Sequence, residues 1–341
     1  PVASAAPEAA SAAVLKFAGT AREAILASPP RLLASTGTVY RRARLFDVSE
    51  RVPGFEVESL VRLPGRWADQ APILTTADLP SPLRSSSEVE FLRDTDRAAV
   101  LAAGGAIRAY PLPLLRRYGG VRDEVGGRPV FVCWNAWTQC VRAFIGRSGD
   151  GEVDWRDSGL LYRGNHVYYD EETGSLWDSY DGQALCGSMA GERLEELPCV
   201  TWPWAQWRAE NPSGEVLAVA EEAETPAEGE EGYLRSSVIP FPLKSADFSE
   251  DALEPKDFVL GVTLDRVSRA YPLGALADNG TLVVKDAIGG QRFDVHVTSH
   301  RTGYAVADGH SLNAPVMLWF AWKLIHPDSD IYTVPSSAGG P

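Results

Sequence analysis

The chain has 341 residues, 45% of them apolar and 23% charged, with a formal net charge of −14 and a pI of about 4.9. Those proportions belong to a globular protein with a sizeable core, and the acidic balance excludes nucleic acid or an anionic membrane surface as the main partner, since both select basic patches. None of its apolar runs reaches the roughly 18 residues that a membrane-spanning helix requires.

The chain opens on Pro1 with PVASAAPEAASAA, a small-residue stretch of the kind found just after a signal-peptidase site. The expectation is an exported, extracytoplasmic protein, periplasmic or secreted. A helix is predicted at 14–27, stopped by Ser28-Pro29-Pro30, and residues 1–95 as a whole read as an irregular N-terminal arm with a few strands. From Arg97 the pattern sharpens into a first, full module, 96–213. Two short strands flank Gly104-Gly105, a short helix follows at PLPLLRRY, and a hairpin turns at Gly126-Gly127, a pair suited to the positive φ angles of a two-residue turn. Another strand starts at Cys140.

The stretch 158–187, SGLLYRGNHVYYDEETGSLWDSYDGQALCG, carries its apolar residues in short runs of strand length, which predicts antiparallel strands and tight turns. A helix near Pro203 bears Trp204 and Trp207 and stops at Asn211-Pro212. Residues 214–240 hold seven glutamates, six of them (Glu221, Glu222, Glu224, Glu228, Glu230 and Glu231) crowded into 221–231, and read as an acidic linker.

A second, abbreviated module is predicted at 241–335. It shares with the first the pentapeptide Arg-Ala-Tyr-Pro-Leu (108–112 and 269–273), a Gly-Gly turn (Gly289-Gly290) and a Trp five residues before Pro (Trp207 with Pro212, Trp322 with Pro327). A period near 161 residues reads as duplication. The stretch 158–187 has no counterpart in the second copy. The expected fold is therefore α+β and β-rich: a duplicated module of antiparallel strands and hairpins with short helices, the second copy abbreviated.

Over roughly residues 70–335 the chain resembles the Domain of Unknown Function 3179 family of exported prokaryotic proteins. The resemblance rests on RAYPL, GGRPV, SGLLY (158–162), YDEETGSLW (169–177), AGERLEELP (190–198), WAQWRAENP and FPLKSADFSEDALEPKDFVLGV (241–262). It implies a Cys-Pro-Leu-Cys or Cys-Pro-Leu-Thr motif, with selenocysteine in some members, directly after the GGRPV strand. Such a motif implies thiol redox chemistry or metal ligation, which need a low-pKa thiolate. Aligned without gaps on Phe144, the motif falls here on Asn135, Ala136, Trp137 and Thr138. The Thr matches one variant; the first Cys is absent.

Cys133 and Cys140 flank that site. On one strand they face opposite sides about 20 Å apart, so only a tight turn at NAWT brings them together. Among the four cysteines, bonds Cys133–Cys140 and Cys186–Cys199 remain open, as do four free thiols. His166, beside Asn165, is a candidate to line a cleft. His296 and His300 have helical ligand spacing in a stretch that reads as strand, with His310 and His326 further on. The carboxylates Asp154, Asp157, Asp170, Glu171, Glu172, Asp178 and Asp181 fit turns as well as acid–base work. The aromatics Trp134, Trp137, Trp155, Tyr162, Tyr168, Tyr169, Trp177 and Tyr180 fit core and protein interface. No phosphate loop, dinucleotide fingerprint, haem-attachment motif or zinc-finger spacing occurs, and neither cofactor nor metal is expected.

Two functions follow as expectations. One is a non-catalytic accessory or scaffolding subunit with protein partners in a larger extracytoplasmic, possibly membrane-associated, assembly. The other is a thiol-redox or metal-binding protein using Cys133 and Cys140 in a non-standard way.

Overall fold

Glycine pairs close three of the hairpins on which the chain is built: Gly104-Gly105, Gly126-Gly127 and Gly289-Gly290 all have positive φ. The computed structural model describes residues 50–56, 59–62, 73–148, 151–219, 228–239, 248 and 251–334. The helix predicted at 14–27 lies outside them, as do residues 220–227 of the acidic stretch.

In chain order the first part contains β1 (Val61–Arg62), β2 (Leu74–Thr75), β3 (Leu83–Ser85), β4 (Arg97–Ala103) and β5 (Ala106–Pro111). Helix α1 (Leu112–Tyr118) leads into β6 (Gly120–Val125), β7 (Arg128–Asn135) and β8 (Cys140–Ile145), followed by the short hairpin β9 (Arg147–Ser148) and β10 (Gly151–Glu152). Then come β11 (Trp155–Tyr162), β12 (Asn165–Asp170), β13 (Leu176–Asp178), β14 (Ala184–Cys186), β15 (Glu196–Leu197), β16 (Cys199–Pro203), α2 (Trp204–Glu210) and β17 (Glu215–Leu217).

These strands form three five-stranded sheets, in the orders β16-β4-β5-β17-β3, β15-β8-β7-β6-β2 and β1-β11-β12-β13-β14. The second sheet is sandwiched. Val130, Val132 and Trp134 of β7 join the core with Leu101, Tyr110 and Leu115. The alternate residues Phe131 and Cys133 pack against Trp155, Tyr168 and Trp177 of the third sheet. Burial on both faces explains why PVFVCW is a continuous apolar run rather than an alternating one.

The second part repeats the order hairpin, helix, hairpin: β18 (Phe258–Leu264), β19 (Val267–Pro272), α4 (Leu273–Asp278), β20 (Val283–Ile288), β21 (Gln291–Ser299) and β22 (Thr302–Ala307). It ends with β23 (His310–Ser311), β24 (Val316–Leu318), a helix at Trp319–Ile325 and β25 (Asp330–Ile331). The sheets are β24-β18-β19-β25 and β20-β21-β22-β23. The molecule is thus a β-rich α+β protein.

The shared pentapeptide has a physical reason. Arg108 and Tyr110, two apart on β5, point the same way and meet Asp123 of β6, at 2.6 and 2.7 Å. Asp123 also accepts the Glu124 N–H at 2.8 Å, and Glu215 of β17 takes the other end of the guanidinium at 2.9 Å. In the second half Arg269 and Tyr271 meet Asp286 at 2.8 and 2.7 Å, the Ala287 N–H donates to it, and Asp330 of β25 replaces Glu215 at 3.3 Å. Both outer acids stand on a strand added in parallel, β17 to β5 and β25 to β19.

Two readings change. The arm 1–95 supplies edge strands to the first module: β2 pairs with β6 and β3 with β17, while Val89 and Leu92 are buried. Short Pro- and Ser-interrupted runs hide such strands, whose partners lie far away in sequence. The supposed linker 214–240 contains β17, where Val216 and Leu217 are fully buried, and helix α3 (Glu228–Arg235).

Removing one member of a buried ion pair strands the other charge. Asp123→Ala is expected to cost about 3–5 kcal/mol in urea unfolding. Asp286→Ala should cost less, because the Arg269 side chain is 25% exposed against 8% for Arg108. Equal losses would break this account. A Cβ on Gly261 would fall inside the Trp322 indole. Gly261→Ala should therefore destabilise by at least the ~1–3 kcal/mol of ordinary overpacking, read from the same titration.

Candidate functional site

The family motif positions lie at the tip of the β7–β8 hairpin. Asn135 ends β7 and pairs with Cys140, the first residue of β8, leaving residues 136–139 as the turn. The Asn135 side-chain oxygen accepts the Trp137 N–H at 2.9 Å, a local closure typical of Asn. Its amide nitrogen donates to the Gly164 carbonyl at 2.7 Å. Gln139 takes the left-handed region (φ 58°), donates to the Ala136 carbonyl at 2.8 Å and accepts from Arg97 at 2.7 Å.

A second hairpin tip locks onto the first. Arg163 and Gly164, both with positive φ, make the two-residue turn between β11 and β12. The fully buried Thr138 donates its hydroxyl to Asn165 at 3.1 Å, and its carbonyl accepts the Leu318 N–H at 2.9 Å. The Trp137 carbonyl accepts the Tyr233 hydroxyl of α3 at 2.8 Å. The motif loop is therefore clasped on one side by the stretch 158–187 and on the other by the second half of the chain.

The structure brings Cys133 and Cys140 onto adjacent strands, the NAWT turn lying between them, without joining them. All four cysteines are free, so neither Cys133–Cys140 nor Cys186–Cys199 is a disulfide. Cys133 pairs with Arg142 across the hairpin and packs in the layer of Phe131 and Trp155; Cys140 packs with the core of the second half. Burial pushes the Cys133 thiol far above its ordinary value, with Cys140 adding to the rise. It pushes Cys140 up to about 12, against the opposing pull of Arg142. Neither is poised as a thiolate.

His166 goes elsewhere. Asn165 and His166 face opposite sides of β12, so Asn165 meets Thr138 while His166 sets Nδ1 3.2 Å from the Asp157 carboxylate. Its ring stacks on Tyr168, whose hydroxyl donates to the Gly119 carbonyl at 2.9 Å. His296 stacks on Tyr304 and His300 pairs with Asp278 at the surface. Among the described residues no three His, Cys, Asp or Glu side chains are grouped to hold a metal. The carboxylates disperse as well: Asp170 organises its own turn with Thr173 and the Trp177 indole, while Asp154 and Glu171 pair with Arg156.

Sequence reading missed a buried network beside the loop. Arg142 of β8 donates to the Tyr180 carbonyl at 2.7 Å and to Asn313 at 2.9 Å, and pairs with Glu196 at 2.9 Å. Asn313 also donates to Glu196. The Tyr180 hydroxyl meets His326 Nε2 at 2.9 Å, and His326 Nδ1 meets Ser268 at 3.0 Å. Burial, then the positive charges of Arg163 and Arg142, lower the His326 pKa to about 4. Burial and the neighbouring Asp181 push the Asp178 carboxyl well up. The pairs Arg142–Asn313, Asn313–Glu196 and Tyr180–His326 join the two halves of the chain here. A separate cleft of 590 Å³, with Arg122 and Trp155 on its wall, opens near β2 and β6, where Arg122 is paired with Asp154 and Thr75.

A family model described as "Protein of unknown function (DUF3179)" matches residues 72–314. No curated protein and no solved structure matches the chain.

Because His326 binds its proton less readily in the fold than in the unfolded chain, its contribution is full above pH ~6.5 and is lost as pH falls toward about 4. Asp178, with its raised carboxyl, acts with the opposite sign, so the effect is best isolated by difference. The stability gap between the wild type and His326→Gln should narrow steadily from pH 7 to pH 4 in chemical denaturation. A gap independent of pH would contradict the assignment.

Proposed function

This chain belongs to the DUF3179 family, and we propose that it serves as a non-catalytic accessory or scaffolding subunit of an extracytoplasmic protein assembly. The observation that supports this reading is the state of the motif loop. Asn135 and Thr138 stand where the family resemblance puts a reactive Cys and its partner, and each is tied by hydrogen bonds to the opposing hairpin. Leu318 of the second half and Tyr233 of α3 bind the same loop. A catalytic group needs a path to substrate and a matched pKa; here the loop is a fastening, and the flanking thiols are buried and held protonated. Duplication of one module, the second copy abbreviated, accounts for the two Arg-Tyr-Asp clamps and leaves the second copy free to cover the site of the first.

The alternative, thiol redox or metal chemistry at Cys133 and Cys140, requires those sulfurs to be reachable and deprotonated. Maleimide labelling at pH 7.5 decides between the two. The folded protein is expected to leave Cys133 and Cys140 unmodified over hours, all four cysteines reacting once guanidinium is added. Rapid modification of either thiol in the native state would favour the redox reading. Purification from the native source is expected to bring down a second polypeptide in fixed ratio. Recovery of a lone, metal-loaded monomer would sink the scaffolding role.

A further inference from the structure

Helix α3 is attached differently from the other described helices. Each of those buries at least two side chains: Leu114 and Leu115 in α1, Trp204 and Trp207 in α2, Leu273 and Leu276 in α4, Trp319 and Trp322 in the last. In α3 no residue from Glu231 to Arg235 is buried, and Tyr233 and Leu234 rest half-buried on the core of the second half. Its own sequence gives it little support. Eight residues are too few for a helix to hold itself in water, and EGEEGYLR includes Gly229 and Gly232, glycine being the poorest helix former after proline. The helix is formed because the fold holds it.

Three ties hold it, spread over both halves. The Tyr233 hydroxyl donates to the Trp137 carbonyl of the motif loop at 2.8 Å, and ring meets indole edge to face at 5.2 Å. The Lys256 ammonium lies 3.7 Å from the Tyr233 ring and donates to the Tyr233 carbonyl and, at 2.8 Å, to that of Ser236. A cation there answers the negative end of the helix. Glu231 takes Arg301 with both oxygens, at 2.5 and 3.2 Å, in a pair more than a third exposed on each side. Each such tie contributes little by itself. The motif loop beneath has its own fastenings, from Asn135 to Gly164, from Thr138 to Asn165 and from Leu318 to Thr138.

We propose that α3 is a strap that opens as a unit ahead of the rest of the fold, lifting Tyr233 off the Trp137 end of the motif loop while the loop keeps its shape. Elements with few buried apolar contacts are the ones that open at the lowest free energy, and α3 is the helix that lacks them. Opening breaks the Tyr233, Lys256 and Glu231 ties together. It leaves the two hairpin tips and the Leu318 bond in place, because none of those runs through α3. The inference stands apart from the scaffolding reading: it concerns which end of the loop the strap covers, whatever meets that end.

Native-state hydrogen exchange on the full chain, resolved to single amides, tests it at three positions. The Ser236 N–H donates to the Gly232 carbonyl and marks the strap; that of Leu318 donates to Thr138 and marks the loop; that of Trp134 donates to Gly119 and marks the core. Protection at Ser236 is expected to be at least ~100-fold below that at Leu318 and Trp134, as for a locally opening unit. Tyr233→Phe, which keeps the ring, should lower it a further fivefold or so, the scale of one hydrogen bond. Lys256→Met should lower it about threefold, the scale of a cation at a helix C-terminus. Leu318 should not respond to either. Equal protection at Ser236 and Leu318, or a loss at Leu318 that tracks Ser236 in Tyr233→Phe, overturns the proposal by making strap and loop one unit. Protection at Ser236 that neither substitution lowers also overturns it, since the named ties would not be what closes the strap. Lost protection at Trp134 would mark a variant that has lost its fold. Glu231→Gln, which alters one part-exposed pair, then takes its place with an expected loss of about twofold.

Discussion

A guanidinium drawn into the fold must be matched by carboxylates, and this chain answers that demand with the same parts at the buried Arg108 and at the partly exposed Arg269. Arg108 and Arg269 each emerge from the second strand of a hairpin, and each is answered by an aspartate on the next hairpin and an acid on an added parallel strand. Because a stranded charge in the interior costs several kcal/mol, the pairing fixes how successive hairpins cross. The tyrosine two residues on shares the same carboxylate, so position and hydrogen-bond satisfaction are set together. The helices, the third sheet and the seam are built on hairpins whose mutual placement this clamp determines.

Arg142 extends the principle across the molecule. It is buried like Arg108, and its partners come from β15, from the turn after β13 and from the second half. The motif loop lies in the shelter of that junction. A reactive thiol would need room and a field that favours the anion. The loop offers interlocked hairpin tips, a threonine with no exposure and thiols whose burial favours the protonated form. At the position that the family resemblance gives to the first motif Cys, Asn135 ties the two hairpin tips of the first half together, and the Thr138 carbonyl adds a tie to Leu318 of the second.

What was legible in the sequence was local or repeated. Gly104-Gly105, Gly126-Gly127 and Gly289-Gly290 marked hairpins because few other residues tolerate their φ values. The recurrence of Arg-Ala-Tyr-Pro-Leu marked equivalent strands before the clamp supplied its cause. Contacts between distant residues left no such mark. Arg142 and Asn313 are 171 positions apart, and nothing in either neighbourhood announces the other. The glutamate-rich segment misled for a related reason: its composition predicts solvation, yet Glu231 finds Arg301 and Tyr233 finds Trp137, partners that only the assembled fold presents. The cysteines were ambiguous because spacing cannot separate a bonded pair from two sulfurs on neighbouring strands.

The strand β3 has a consequence in time. It pairs with β17 through Ser85 and Glu215, a span of 130 residues in which nearly the whole first half is made. At a synthesis rate of about 5–20 residues per second, Ser85 waits roughly 6–26 s before its partner exists. Strand β1 waits over 100 residues for β11, from Val61 to Leu161, and β2 over only 47 for β6, from Leu74 to Val121. Strand β3 is thus made early and completed with the last strand of the first half, and during that interval its unpaired edge must be kept from other chains.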